Sequence, residues 1–443
     1  MRGISIKDEN SIPLVILVTV VILLGVLWVL IQLDVDIDMG QVVPFMRGEV
    51  VPDYAKEGLA DAEGVTLEGM RSVEKASSKF AFDVYEELAK EEGNIVFSPY
   101  GVSTVLSMTY EGSKGDTKEE IGEAINIPRE DDVRRPAMGA VYNKINREDA
   151  GYDIETLNSV WIRENYEPFS DFIDVIERFY VGQVNSVDLE DDPENTRASM
   201  NEKVKDITGD IIEELFPRGS VADKTTMMLA NAVHFDGNWE IEFNKEHTEK
   251  EDFHITEEET LEVAMMQGEG EYGYYENEEA QILELSYEDK NASMLVILPK
   301  EGNLASLENE LDFEKMNEWK EGIEEEKVRV YLPRFKIGMR HKMSDHLKNL
   351  GVLLAFDREE ADFSNIFEQE EENLFLDEII HGAFISVNEK EAEILEETEE
   401  EETEEEKEED MMVFRADNPF IFTVIEKEGG NIILMGRVQN PLE

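Results

Sequence analysis

A mixed α+β domain is predicted by three features of this 443-residue chain. Strand-like runs rich in Val, Ile, Leu and Phe recur along most of its length, some alternating with polar residues and some continuously apolar. Stretches at helical spacing lie among them. Neither kind repeats at a fixed interval, which argues against a regular βαβ array.

The elements follow in order from about Val73. The segment VEKASSKFAFDVYEELAKEE places Ala76, Phe80, Phe82, Val84, Tyr85 and Leu88 at mostly helical spacing and ends at Gly93. Further helices are expected around 102–111, 117–126, 133–147, 169–179, 196–215 and 342–350. Strands are expected at 157–163, 227–235, 280–287, 292–298, 327–333, 374–387, 420–426 and 431–437. Residues 34–72 hold Gly, Pro and acids without periodicity and read as a tether.

Composition bounds the function. Hydrophobic residues make up 41% of the chain, enough for a sizeable core. There are 104 acids against 41 Lys plus Arg, a net charge of −63. Such a surface repels nucleic acid and anionic headgroups, and it suits a saline habitat, where salt screens self-repulsion. Cysteine is absent, so no disulfide, thiolate metal site or Cys nucleophile exists. The six His residues are scattered without an HExxH arrangement, and no metal or other cofactor is expected.

Leu14–Ile31 is eighteen residues without a charge, extended by Ile12 and Leu33. At about 1.5 Å per residue it nearly spans the hydrocarbon core of a bilayer. Arg2 and Lys7 precede it, and Asp34, Asp36 and Asp38 follow it. The positive-inside rule then puts residues 1–11 in the cytoplasm, a transmembrane anchor at 12–33, and the rest outside the cell. The stretch is too long for a cleaved signal peptide, and no small-x-small cleavage pattern follows it.

Several motifs carry a family resemblance. Asn94–Ile121 reads NIVFSPYGVSTVLSMTYEGSKGDTKEEI, a short strand entering a buried helix through an F-S-P turn. LNSVWIRENY, MLANAVHFDGNWEIEFNKEHTEKEDFHI, VAMMQGEGEYGYYE, SMLVILPKE and VRVYLPRFKI follow in order. LFLDEIIHGAFISVNEKEAEI and FRADNPFIFTVIEKEGGNIILMGRVQNP complete the set. Together they resemble the serpins, prokaryotic-like members included, over residues 73–443. The resemblance implies a large, mainly antiparallel central sheet with further sheets, about nine helices and an exposed reactive loop, here 389–413. It also implies a monomeric serine protease inhibitor rather than an enzyme.

Residue by residue, Ser98, Asn231 and His381 match serpin positions beneath the middle of the main sheet, where strands must part. A hydrogen-bonded Asn and His can close such a gap and still reopen. Gly101 departs from the pattern, a second Ser being usual there. Trp239 matches the Trp at the top of the sheet, and Pro333, Arg334 and Phe335 match the neighbouring strand. GEGEYG (Gly268–Gly273) fits GxGxxG but reads as an acidic turn with no helix after it. Asn291-Ala292-Ser293 is a glycosylation sequon, and Glu321–Glu326 reads as solvated surface.

Glu396–Asp410 reads EETEEEETEEEKEED, twelve acids in fifteen positions, between the strand-like IIHGAFISVN and NPFIFTVIE. The resemblance makes this the bait. In the family a protease cleaves the loop, forms an acyl-enzyme and is dragged away as the freed arm inserts as a strand. The family's spacing, carried over from Glu389 and from Phe414, implies Glu405–Glu406 as the reactive bond, and with it a glutamyl-preferring protease. Lys407–Glu408 is the trypsin-like alternative and Met411–Met412 the chymotrypsin-like one. Glu389 matches the hinge acid. Glu391 stands where Gly is expected, Ala392 remains small, and Glu393 and Ile394 continue the hinge.

Strand period gives an inward series of Ala392, Ile394, Glu396, Thr398, Glu400, Glu402 and Glu404. A buried, unpaired carboxylate costs several kcal/mol. Three outcomes stay open: no full insertion, insertion only in acid or high salt, or partial insertion through Ile394. The alternative function is a non-inhibitory binding protein whose acidic loop takes basic proteins or cations.

Overall fold

The computed structural model describes residues 59–188, 192–208, 210–222, 224–300, 304–368, 373–389 and 411–443. The anchor at 12–33, most of the tether and the acidic run lie outside these residues. Among the described residues no helix is long and apolar enough to cross a membrane.

In chain order the elements are α1 (Leu67–Leu88), β1 (Ile95–Phe97), α2 (Pro99–Gly112), α3 (Gly115–Ile125), α4 (Asp131–Ile145), β2 (Tyr152–Arg163), α5 (Ser170–Tyr180), β3 (Gln183–Val187) and α6 (Pro193–Ile207). Then come β4 (Met227–Gly237), β5 (Glu249–His254), β6 (Thr260–Glu276), β7 (Ala280–Ser286), β8 (Ala292–Pro299), α7 (Leu304–Glu310), α8 (Phe313–Glu321), β9 (Glu324–Pro333) and β10 (Phe335–Lys342). The chain finishes with α9 (Ser344–Asn349), β11 (Leu376–Val387), β12 (Met412–Arg415), β13 (Phe420–Glu426) and β14 (Ile432–Val438).

The α+β expectation holds, with nine α-helices among the described residues. One sheet has the order β1-β14-β13-β8-β7-β6-β9-β12, with β5 added on β6. The other has the order β10-β11-β4-β2-β3. Most ladders are antiparallel, but in the five-stranded sheet β11 runs parallel to β4 and β2 parallel to β3.

The F-S-P turn folds as its chemistry requires. Ser98 has an extended backbone, its hydroxyl accepts from the Gly101 amide at 3.0 Å, and Pro99 fills the first helical position. Every residue of α2 is buried, so this helix forms the spine behind the sheet. On the opposite face, Met200 and Val204 of α6 join Leu157, Trp161, Met228, Ala230, Ala232 and Ile380 in one apolar cluster. Both faces of the sheet are therefore covered where β4 meets β11.

The structure differs from the sequence reading in three places and adds a contact at the sequon. Ordered packing begins ahead of Val73: Ala60 and Ala62 are buried, and Asn143 exchanges two hydrogen bonds with the Ala60 backbone. Small residues with few apolar atoms gave that stretch the look of a tether. The helix expected at 196–215 stops at Ile207. The apolar residues beyond it belong to a turn pinned by Asn201, whose Oδ1 accepts from the Leu215 and Phe216 amides. GEGEYG is not a turn but the middle of the long strand β6. Its Gly268 and Gly270 leave room for Phe243 and Ile241 against the strand. The side chain of Asn291 is part-buried and donates to the Ala150 carbonyl, so the sequon amide is already engaged.

Candidate functional site

The parallel neighbours β4 and β11 give the five-stranded sheet a seam. Both strands run toward the same end. There β4 leads through Gly237 to Trp239, and β11 leads through Val387 to Asn388 and Glu389. A strand that turned back after Glu389 would run antiparallel to both of them. The seam is the one position in this sheet that offers such a strand antiparallel partners on both sides.

At mid-seam the register sets Asn231 opposite His381. The Ser98 amide donates to His381 Nε2 at 2.8 Å, which leaves Nδ1 to carry the proton and donate to Asn231 Oδ1 at 2.8 Å. The Asn231 amide donates in turn to the Leu157 carbonyl at 3.0 Å and to Asn158 Oδ1 at 2.8 Å. Ser98, Asn231 and His381 are fully buried. Burial, and then the neighbouring His341, push the His381 imidazole well below its ordinary range. It is the neutral form that fits this network. His341 stacks beside it at 6.4 Å and donates through Nε2 to the Val96 carbonyl at 2.9 Å. Gly101 lies against the same group: a Cβ there would stand 2.0 Å from Asn231 Oδ1. The amide of Asn231 occupies the space that a side chain at 101 would need.

At the loop end, Trp239 donates through Nε1 to the Asn388 carbonyl at 2.9 Å. Its ring stacks on Tyr287 with centroids 4.6 Å apart and meets Phe243 edge-on. Glu389 is buried, and its carboxylate accepts from Arg334 and from the Thr248 hydroxyl. Burial raises this carboxyl, but the two hydrogen bonds and the Arg334 charge outweigh it and hold Glu389 below its ordinary range. Trp239 and Glu389 thus fix both strands of the seam at the point where the chain leaves β11.

A family model described as serpin (serine protease inhibitor) matches residues 75–441. The chain belongs to the serpin family. It is 34% identical over 83% of its length to a serpin-like protein of Methanosarcina acetivorans, covering 88% of that protein. It is 32% identical over 84% of its length to a leukocyte elastase inhibitor of Equus caballus, covering all of it. Among solved structures, uncleaved ovalbumin superposes with a TM-score of 0.77 at 28% identity, covering 84% of this chain and all of that one.

In this serpin the loop candidates divide between described and undescribed residues. Glu391, Ala392, Glu393, Ile394, Glu405, Glu406, Lys407 and Glu408 lie outside the described residues. Met411 and Met412 are described and partly exposed. Met412 already pairs with Val328 at the start of β12, a parallel neighbour of β9. Phe414 behind it is buried, and Arg415 is held by Glu251 and lies 3.5 Å from the centre of the Tyr331 ring. Asn158, Thr248, Tyr287 and His341 were not singled out in the sequence. Each joins the site through pairings made only by the tertiary fold. Asn158 and Thr248 had a local signal, since they stand inside the motifs that begin LNSVW and MLANAVHF.

Proposed function

We propose that this serpin inhibits a serine endopeptidase as a suicide substrate. Cleavage in the acidic loop yields an acyl-enzyme, and the arm freed after Glu389 enters between β4 and β11. The observation that carries this reading is the closed parallel seam, with its Asn231–His381 bond across the middle and the loop leaving from its end. The process is single-turnover rather than catalytic. Glu405–Glu406 is the proposed reactive bond, and a glutamyl-preferring enzyme with a basic pocket is the proposed partner. Residues 12–33 are proposed to hold the inhibitor at the cell membrane with residues 73–443 outside. That topology is read from the apolar run and its flanking charges.

The Glu residues at alternate positions of the arm favour insertion in acid or high salt, where they are neutralised or screened. The full-length chain should therefore be incubated with Glu-specific, trypsin-like and subtilisin-like proteases at neutral and acid pH and at low and high salt. A complex that survives SDS is expected with the Glu-specific enzyme. Cleavage by every enzyme with no trapped complex removes the inhibitory reading. It would leave the non-inhibitory alternative, in which the acidic loop binds basic proteins or cations.

A further inference from the structure

The seam has a second clasp, at the end remote from the loop. Leu376 of β11 pairs with Met227 of β4, but the next pair is Glu378 with Met228. Asp377 is thus an extra residue, a β-bulge in a parallel ladder. Its carboxylate turns onto the start of β4. Asp377 Oδ2 accepts from the Thr226 amide at 2.7 Å and the Met227 amide at 3.3 Å, with the Thr226 hydroxyl at 3.4 Å. Thr226 crosses the other way: its hydroxyl donates to the Phe375 carbonyl at 2.7 Å and accepts from the Phe375 amide at 3.3 Å. A side chain here does what ladder hydrogen bonds do elsewhere, and unlike a ladder it can titrate.

We infer that Asp377 positions the closed seam by tying the first residues of β4 to β11, and that its ionisation favours parting of the two strands. The inference rests on the proposed function in one respect only, that parting these strands is what the inhibitor must do. Burial pushes the Asp377 carboxyl up to about 6, against the pull of the Thr226 and Met227 donors and of Arg163. Opening this end returns the carboxylate to water, where its ordinary value of 3.8 applies. The closed state therefore prefers the protonated acid. Raising the pH from 3.8 through 6 shifts the balance toward opening, by roughly 100-fold in all, and the shift levels off above 6.

The other charged groups of this end make contacts of their own. Arg163 of β2 caps the Thr225 carbonyl with its guanidinium. Glu378 is turned away onto the amide and hydroxyl of Ser344 in α9. Arg358 lies over the Phe375 ring. His341 and His381 belong to the mid-seam and stay buried when only this end opens; burial pushes both imidazoles down.

The test is amide hydrogen exchange in the uncleaved full-length chain between pH 5 and 8, corrected for intrinsic rates, comparing the wild type with Asp377→Asn. Asparagine keeps the acceptor and loses the charge. In the wild type, protection of residues 226–229 and 376–380 should fall by roughly tenfold between pH 5 and 7, and in D377N it should stay flat. Identical profiles, or a wild-type profile without pH dependence, overturn the inference; the second result does not require the variant to fold. A parallel measurement follows the gain in thermal stability after cleavage by a glutamyl endopeptidase. Faster gain at pH 7.5 than at pH 5.5, lost in D377N, supports the clasp. If cleavage stabilises neither protein at any pH, the proposed inhibition fails, and the exchange profiles still decide the role of Asp377.

Discussion

The Asn231 side chain stands where a Cβ on Gly101 would have to be, 2.0 Å from its Oδ1. The bond from His381 Nδ1 to that same oxygen closes the seam, so the missing side chain at 101 and the closed seam depend on each other. Gly101→Ala should displace the amide and cost about 1–3 kcal/mol, as overpacking of a tight core does. Asn231→Ala should cost a similar amount by leaving His381 Nδ1–H and Asn158 Oδ1 buried and unpaired. In the double variant the added methyl enters the space that Asn231 vacated. Its cost should then be less than the sum of the two, by roughly 1 kcal/mol or more. Urea denaturation of the four proteins of the cycle measures the coupling, and simple additivity would refute the steric account.

The paired histidines set an acid limit on stability. Burial is the main cause of the downward shift in both, and His341 adds to it for His381. A base whose folded value lies below its unfolded one binds fewer protons in the folded state. Stability is therefore intact above the ordinary value of 6.5 and falls as the pH drops below it. The slope should approach about 1.4 kcal/mol per pH unit for each histidine. His381→Gln can accept from Ser98 and donate to Asn231, so it should be less stable at pH 7 but lose less between pH 7 and 5. Melting curves of both proteins across that range provide the check. A parallel decline in the two would remove His381 as the cause.

The mid-seam and loop-end residues were legible in the sequence because they stand in motifs of fixed local order, such as FSP and MLANAVHF. The strand partners of those residues were not. Asp377 touches Thr226 across 151 positions of sequence, and the bulge that aims it leaves no trace in the periodicity of LFLDEIIHG. The glycines of GEGEYG misled for a related reason. Their local meaning is a turn, whereas their tertiary use is to let Ile241 and Phe243 lie flat on β6. Ile212 and Leu215 prolonged the helical pattern of α6 although they pack on the sheet from beyond its end. In the last two cases the residue type was read correctly as small or apolar, and long-range packing decided where it went.

Glu389 is the acid whose charge the fold keeps. Arg334 and Thr248 hold it below its ordinary range, so its stabilising effect is present above 4.5 and is lost as the pH falls through the lowered folded value. Arg334 is partly exposed while Glu389 is not, which makes the two partners unequal. Arg334→Met strands a buried carboxylate and should cost about 2 kcal/mol. Adding Glu389→Gln, which leaves nothing to neutralise, should recover much of that loss. The denaturation midpoint at pH 7 and the rate at which Glu-specific protease cuts the loop both report on this clasp. Loss of stability in R334M without recovery in the double variant would show that Arg334 acts through packing alone.

A second buried ionic group tests the same logic with the opposite sign. Lys144 of α4 lies 3.2 Å from Glu74 of α1 and 2.7 Å from Glu426 of β13, and all three side chains are nearly inaccessible. One cation thus serves two carboxylates. Burial raises the Glu74 carboxyl, and the Lys144 charge and hydrogen bond only partly oppose it, with Glu426 adding repulsion. An acid raised in the folded state holds its proton more tightly there. The cost of ionising Glu74 is therefore present above its ordinary value of 4.5 and is relieved as the pH falls toward it. Lys144→Met should destabilise by about 3–5 kcal/mol at pH 7, because it leaves two like charges buried without the cation between them. Glu74→Gln alone should cost much less, since Lys144 keeps Glu426 and the new amide stays beside Asn431. In the Lys144→Met background Glu74→Gln should be stabilising. A cycle in which Glu74→Gln has the same sign in both backgrounds would mean that the three groups do not share one charge balance.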